Sequence, residues 1–226
     1  TPHSSNADID IVSSLCPAIK FGSGDLTNLP MLKYAAGKGL PIILATGMGT
    51  IDETREAVEI ITSVNESLVL LHCTTNYPTP RNEVNMRAMT TLKKEFGHLV
   101  GYSDHTMGID VAMAAVALGA CIIEKHFTLD KTMEGPDHKA SLEPEELRNM
   151  IIGVREIEDA IASGKYPTDI ISGMDISDVL GNGEKIPMPS EIETMRIIRK
   201  SIVAARNISR DSVITEDMLA IKRPGT

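Results

Sequence analysis

The chain has 226 residues, of which 42% are hydrophobic and 23% are charged, with no Trp and a formal net charge of -9. These values are ordinary for a globular protein of one large or two modest domains, and the negative charge argues against a surface that binds nucleic acid or acidic membranes. No apolar run approaches the length of a membrane span, and the three dispersed cysteines fit neither a zinc nor a CxxC motif. This cysteine usage is typical of a reducing compartment, so we expect a cytoplasmic protein.

Short apolar runs alternate with helix-like segments along the first part of the chain. The first three predicted strands cover residues 18–23, 41–46 and 68–73. The predicted helices that follow them cover residues 26–38, a segment beginning at Thr50, and residues 84–96. Thr50 and Glu53 have the spacing of a capping box, and Ala57, Val58 and Ile61 give the same helix an apolar face. This alternation predicts a parallel sheet with helices between its strands.

Residues 100–141 hold two more strand-like runs, each ending in a polar cluster. The first ends in Ser-Asp-His at 103–105, the second carries Glu-Lys-His at 124–126, and a small apolar helix over 108–118 separates them. Neighbouring parallel strands bind ligands at their carboxyl ends, so we expect the two imidazoles to lie close together. One His at a strand end is usually a satisfied polar residue. Two, each flanked by acids, favour half of a metal site.

The last third of the sequence changes character. A long helix is predicted from Pro144, with apolar residues spaced for one buried face. Residues 163–190 are rich in turn-forming residues, and we expect a linker there. A strand over 201–205 and a short helix start at 215–218 follow. Polar residues end all five predicted strands, which favours the mouth of a (β/α)8 barrel, but periodicity alone leaves an open sheet as the alternative.

Five motifs stand in order along nearly the whole chain. They are LLHCTTNYP at 70–78, GYSDHT at 101–106, EKHFTLD at 124–130, GPDHKASLEP at 135–144 and KRPGT at 222–226. Together they resemble motifs of the N-acetylneuraminate (sialic acid) synthase family, with its legionaminic acid, pseudaminic acid and spore-coat polysaccharide relatives. The resemblance implies an α/β fold with a TIM (β/α)8 barrel and decides between the two architectures left open above.

The resemblance also implies three regions. They are a partial barrel of strands 4–8 over residues 1–162, the linker over 163–190, and the start of a small antifreeze-like (SAF) domain over 191–226. It implies that the first two barrel strands and most of the third are missing before Thr1. Five strands cannot close a barrel of eight. We therefore expect the chain alone to be inactive or nearly so, and to associate through its open sheet edges.

The family's reaction joins phosphoenolpyruvate to an N-acetylated amino sugar, releases phosphate and supplies surface polysaccharide biosynthesis. By resemblance, His105 and His126 bind a divalent metal that polarises the sugar aldehyde, preferably Mn²⁺, with Mg²⁺ or Co²⁺ as alternatives. Asp25 is expected near the metal and the reacting carbons, where the family often has the longer Glu, so its action as a direct base is in doubt. The expected catalytic residues are thus Asp25, His105 and His126.

The expected substrate contacts fall into three groups. Lys20, Ser23 and Ser103 match contacts to phosphate; Tyr77, Glu124 and Asp137 match contacts to the sugar. Thr75 stands where the family often has Asn or Ser, and Asn76 is the alternative at that position. Arg223 matches an Arg that crosses a domain-swapped homodimer into the partner's barrel, so we expect it to lie far from its own chain's site.

Two other functions remain open at this point. One is a different barrel enzyme with a two-His metal site, such as an aldolase or a hydrolase, which would not require phosphoenolpyruvate. The other is a truncated chain with no catalysis, which acts only by association. Phosphate release that depends on both substrates would distinguish the synthase from either alternative.

Overall fold

The computed structural model describes residues 5–224, and its main element is a parallel sheet of five strands. The strands lie side by side in chain order, as β1 (Ile19–Phe21), β2 (Ile42–Ala45), β3 (Leu68–His72), β4 (Leu99–Asp104) and β5 (Ile123–Lys125). Every neighbouring pair is parallel. This arrangement confirms the predicted α/β class and gives a half-barrel. The TPH segment at the start and the last two residues of KRPGT lie outside the described residues.

In the described part of the chain, four helices connect the strands, one precedes them and three follow, and most of them pack on the outer face of the sheet. Their bounds are α1 (Asn6–Leu15), α2 (Leu29–Ala36), α3 (Ile51–Thr62), α4 (Ala88–Phe96), α5 (Asp110–Ala117), α6 (Pro144–Ala162), α7 (Pro167–Ile171) and α8 (Glu191–Ile198). The predicted capping box is present at the start of α3, where Thr50 Oγ1 accepts from Glu53 N and Glu53 Oε2 accepts from Thr50 N. Helix α1, which was not predicted, has the same kind of cap at Ser5 and Asp8.

Two helices begin later than their sequence patterns predict. Residues 23–25 form a 3₁₀ turn, so α2 begins at Leu29 rather than near Leu26. Helix α4 begins at Ala88 rather than near Val84, because Asn85 adopts a left-handed backbone with φ of 50°. The Asn85 side chain accepts from Gly183 N and donates to Glu184 O. A contact to a distant segment therefore sets this helix start.

The sheet has two different apolar faces because side chains alternate along each strand. The outer face packs against the helices and includes Phe21, Leu44, Leu70 and Tyr102. The inner face carries a smaller cluster around Ala45, Leu71 and Cys73. The inner face leads at its carboxyl end to the polar residues described below.

The segment predicted as a linker packs against the half-barrel. It contains α7 and a 3₁₀ turn at Ser177–Val179, and Ile176 and Val179 are buried in the main core. Met86 N donates to Val179 O, and Arg87 N donates to Leu180 O. The sequence did not predict this packing, because only a few apolar residues make the contact and they stand among turn-forming residues without periodicity.

The end of the chain forms a two-stranded antiparallel sheet, β6 (Ser201–Ala204) with β7 (Leu219–Lys222). The predicted strand and short helix are both present, the helix as a 3₁₀ turn at Glu216–Met218. The assignment of this hairpin to an antifreeze-like domain stays a prediction. Within residues 5–224, no helix combines the length and apolar character that crossing a bilayer requires.

His72 gives the fold a predicted pH dependence. Its side chain is buried, Nε2 lies 2.8 Å from Val84 O, and burial together with nearby Lys185 lowers its pKa from 6.5 to about 3. The unfolded chain therefore binds a proton between these values that the folded chain does not bind, so stability falls as pH decreases from about 6.5. We expect wild type to lose about 2 kcal/mol more than His72→Gln between pH 7 and pH 5.

Urea unfolding at both pH values measures this difference. Gln is the chosen replacement because its amide N–H can still donate to Val84 O while it does not titrate. Equal losses of unfolding free energy in wild type and variant would show that His72 is not the group responsible.

Candidate active site at the carboxyl ends of the strands

A cavity of about 460 Å³ lies at the carboxyl ends of the five strands. Nine of the twelve residues expected from the sequence line it: Lys20, Ser23, Thr75, Tyr77, Ser103, His105, Glu124, His126 and Arg223. Ligands bind at this edge in barrels and other parallel sheets. The structure therefore brings together most of the predicted residues, and places Asp25, Asn76 and Asp137 outside the lining.

His105 and His126 face each other across the cavity beside Tyr77. Their ring centroids are 5.5 Å apart, and the Tyr77 ring lies 4.2 Å from His105 and 5.2 Å from His126. His105 Nδ1 is 2.7 Å from Thr74 O. Because a carbonyl only accepts, Nδ1 carries the proton and Nε2 keeps a lone pair. Burial lowers the pKa of His105 to about 4, so this imidazole is neutral at pH 7.

Two such imidazoles suit a divalent transition metal. A backbone carbonyl that fixes the tautomer of a ligating His is the usual second partner in metal sites. Among the described residues, no group of three or more His, Cys, Asp or Glu side chains is arranged to hold a metal. His105 and His126 would therefore supply two ligands and leave the other positions to water or substrate, as in sites where substrate binds the metal.

A second part of the lining, here called the anion wall, holds a cation and several hydroxyls, and its Ser103 Oγ lies 3.5 Å from His105 Nε2. Lys20 Nζ lies 3.0 Å from Glu124 Oε1, which also accepts a hydrogen bond of 2.8 Å from Ser103 Oγ. Ser23 Oγ accepts from Gly47 N at 3.1 Å. Thr75 Oγ1 is buried and has no hydrogen-bond partner within the described part of the chain. A lysine close to the unpartnered hydroxyl of Thr75 is suited to an anion.

Gly47 allows these hydroxyls to approach one another. A Cβ added at this position would collide with Thr75 Oγ1, Ser23 Oγ and Cys73 Sγ. The Gly-Met-Gly turn at 47–49 was too weak a motif to indicate a phosphate cradle from the sequence. Gly47 follows β2 and lets the residues after β1 and β3, the strands on either side, approach each other without a side chain between them.

Asp25 lies outside the cavity lining, next to the lining residue Gly24, and its expected place near a metal stays a prediction. Its side chain is buried and forms an ion pair of 2.5 Å with Lys200, and it accepts a weaker bond from Asn28 Nδ2 at 3.4 Å. Lys200, 175 residues away in sequence, was not identified from the sequence. Asp25 therefore neutralises a buried cation beneath the cavity.

Asn76 and Asp137 also lie outside the cavity lining. Asn76 Oδ1 accepts from Tyr77 N at 3.1 Å, which shapes the turn that presents the Tyr77 ring. Asp137 is exposed, with Oδ2 lying 3.9 Å from His126 Nδ1. Both residues contact the site through a neighbour, and their substrate contacts stay predictions.

The expectation that Arg223 lies far from its own site is wrong. Its guanidinium lines the cavity of the same chain and approaches Gly24. Two ion pairs hold the hairpin in this place, Lys200 with Asp25 and Arg199 with Glu53. Contact with a partner's barrel in a homodimer stays a prediction.

A buried ion pair joins β4 and β5 directly before the two histidines. Lys125 Nζ lies 2.6 Å from Asp104 Oδ2 and 2.6 Å from Thr106 O, and both charged side chains are at most 3% exposed. Asp104 Oδ1 also accepts from the backbone and hydroxyl of Thr106. The pair fixes the register of the two strand ends. The sequence could have indicated this pair, since Asp104 and Lys125 each stand directly before one of the two motif histidines.

Comparisons with known proteins agree with the motifs. The model of the NeuB family matches residues 1–166. The chain belongs to the NeuB family. The resemblance to sialic acid synthases inferred from the sequence is thereby confirmed.

Two curated relatives in this family are synthases by name. N,N'-diacetyllegionaminic acid synthase from Campylobacter jejuni is 45% identical over 220 residues, which are 96% of this chain and 60% of that protein. N-acetylneuraminate-9-phosphate synthase from Homo sapiens is 37% identical over 207 residues, which are 91% of this chain and 52% of that protein. The chain thus spans between half and two thirds of the length of these NeuB-family relatives.

The fold of the NeuB-family chain is also that of a solved structure. The spore coat polysaccharide biosynthesis protein spsE from Bacillus subtilis superposes with a TM-score of 0.89 at 30% identity. The match covers 99% of this chain and 63% of that one.

Proposed function

We propose that this NeuB-family chain forms the catalytic cavity of a synthase that condenses phosphoenolpyruvate with an N-acetylated amino sugar and releases inorganic phosphate. N-acetylmannosamine, its 6-phosphate and a diacetamido hexose are the candidate sugars. The observation that carries the proposal is one cavity lined both by a pair of imidazoles and by a lysine with hydroxyls. The names of the relatives support the same class of reaction.

The protein groups divide the work between the two substrates. Lys20 supplies a positive charge for the phosphate or carboxylate of phosphoenolpyruvate, and the hydroxyls of Ser23 and Thr75 supply hydrogen-bond donors. Tyr77 covers the imidazoles and narrows the cavity over the sugar. Preorganised donors of this kind bind the charged substrate without reorganising during the reaction.

His105 and His126 would hold the divalent metal, preferably Mn²⁺. When bound, such an ion polarises an aldehyde oxygen. In the reaction the enol carbon of phosphoenolpyruvate bonds to the aldehyde carbon, and the oxygen of a water molecule bonds to the carbon that carries the phosphate. The aldehyde oxygen takes up a proton released by that water and becomes a hydroxyl, and phosphate leaves with its bridging oxygen. An imidazole binds a metal through a nitrogen lone pair and adds no negative charge, so the two histidines would leave the charge of the ion available to the substrate oxygen.

Phosphate release measures this function. Five strands do not close a barrel. The assay is therefore made on the chain and on a version completed to eight strands with strands from a relative. Phosphate release by the completed version is expected to require both phosphoenolpyruvate and an amino sugar. Lys20→Met is expected to lower kcat/KM on the order of a hundredfold, because one cation of the anion wall is lost.

Lys165→Met, at an exposed position, is the matched control and should leave the rate unchanged. Phosphate release that proceeds equally without the sugar would contradict the proposal and indicate a phosphatase. Condensation that survives Lys20→Met at the full rate would contradict the role of the lysine.

A further inference from the structure

Glu191 carries a carboxylate into the interior at the first residue of α8. Its side chain is 1% exposed and accepts hydrogen bonds from three backbone N–H groups. Oε1 accepts from Met48 at 2.7 Å and from Thr75 at 2.6 Å, and Oε2 accepts from Met188 at 2.8 Å. Hydrogen bonds to a charged acceptor are about twice as strong as neutral ones. One carboxylate oxygen thus joins two turns that are far apart in sequence.

One of these turns lines the cavity through Thr75, and the other directly follows the lining residues of β2, which end at Ala45. Met48 follows β2 in the Gly-Met-Gly turn, and Thr75 follows β3 with its hydroxyl in the cavity wall. Met48 has φ of 60°, a left-handed conformation that is unfavourable for a residue with a side chain. Such a turn persists only where its surroundings hold it. The bond from Met48 N to Glu191 is one such restraint.

Residues 185–199, which include Glu191, also bind other backbone groups of the turn after β2. Lys185 is buried, its Nζ donates to Gly49 O at 2.8 Å, and its carbonyl accepts from Ile51 N at 3.1 Å. Arg199 donates to Met48 O at 2.8 Å. Residues 185–199 therefore contact both the donors and the acceptors of a turn that belongs to the half-barrel.

We propose that Glu191 is a positioning residue for the anion wall of the cavity. Its carboxylate fixes the backbone at Thr75 and Met48, and so sets where the Thr75 hydroxyl and Gly47 lie relative to Ser23. The cavity has its binding geometry only when residues 185–199 are docked. The proposed function enters this inference only in the choice of phosphoenolpyruvate as the ligand.

Amide hydrogen exchange and ligand binding together test the inference. In Glu191→Ala, the exchange rate of amides in peptides 46–51 and 73–79 is expected to rise at least about tenfold. This factor corresponds to the lower end of the free energy that a hydrogen bond to a charged group contributes. Phosphoenolpyruvate binding, measured by calorimetry on the same chain, is expected to weaken by a similar factor. Glu191→Gln keeps an oxygen for Met48 N and Thr75 N, so exchange and affinity should stay near the wild-type values.

Thr91→Val is the matched control. Thr91 Oγ1 donates to Gly183 O at 2.7 Å, so this variant removes a contact just before residues 185–199 and away from the cavity. Both readouts should then match wild type. Equal exchange or equal affinity in Glu191→Ala and Thr91→Val overturns the inference. If Glu191→Ala does not fold, Glu191→Asp tests the role of Glu191 instead. The shorter side chain cannot reach both turns, so exchange must rise in at least one of the two peptides.

The two proposals fail in different ways. If wild type does not bind phosphoenolpyruvate, the proposed function is contradicted, and the exchange of peptides 46–51 and 73–79 still decides the role of Glu191. If wild type binds phosphoenolpyruvate and Glu191→Ala leaves exchange unchanged, the function stands and the role of Glu191 is wrong.

Discussion

Replacing Lys125 with Met is expected to lower the free energy of unfolding by about 3–5 kcal/mol, because it leaves the Asp104 carboxylate buried without its cation. The two side chains are 3% and 0% exposed, and the Nζ to Oδ2 distance is 2.6 Å. Thr106 still donates two bonds to Asp104 Oδ1, but neither donor carries a charge. Urea unfolding at pH 7, followed by circular dichroism, measures the loss.

Two further variants separate burial from charge. Arg155→Met removes a pair with Glu158 at 2.5 Å, but those side chains are 70% and 47% exposed, so we expect a change below about 1 kcal/mol. The double variant Asp104→Asn, Lys125→Met removes both buried charges and is expected to recover part of the stability. If Lys125→Met costs no more than Arg155→Met, the pair does not stabilise the strand ends.

Removing either cavity imidazole is expected to weaken Mn²⁺ binding by at least about a hundredfold. Loss of a group that only hydrogen-bonds to a metal ligand weakens binding about 10- to 100-fold, and loss of the ligand itself should weaken it more. His105→Ala and His126→Ala each take away one of the two proposed nitrogen ligands. Free Mn²⁺, followed by electron paramagnetic resonance during titration of the protein, measures affinity and stoichiometry without an activity assay.

His98→Ala is the control for this experiment. His98 stands before β4 and therefore at the opposite end of that strand from His105. The control should bind as wild type does. Full stoichiometry and wild-type affinity in His126→Ala would show that the imidazole pair is not the metal site.

The sequence predicted the parts of this molecule that depend on nearby residues. The strands of the half-barrel, the capping box at Thr50 and the long helix from Pro144 all follow from local patterns. The motif residues that line the cavity follow from the resemblance. The half-barrel brings them together because every parallel strand ends at the same edge.

Most of the site contacts that were not predicted join residues far apart in the chain, although α1, with its local cap, was also missed. Asp25 meets Lys200 across 175 residues, and Glu191 meets Thr75 across 116. Asn85 delays the start of α4 because it bonds to residues 98 and 99 positions later. No periodicity relates such positions, since the contact is made by single polar groups rather than by a repeated face.

The contact between Met48 and Glu191 also orders the events of folding. Each strand of the half-barrel pairs with the next strand along the chain, so the sheet can form from segments that are close in sequence. The turn after β2 receives a partner that lies 143 residues later. Closing so long a loop is entropically costly, and contacts of this separation form late. A chain emerging from the ribosome therefore has its sheet before its cavity, and the cavity geometry is completed only after α8 has been synthesised and has docked.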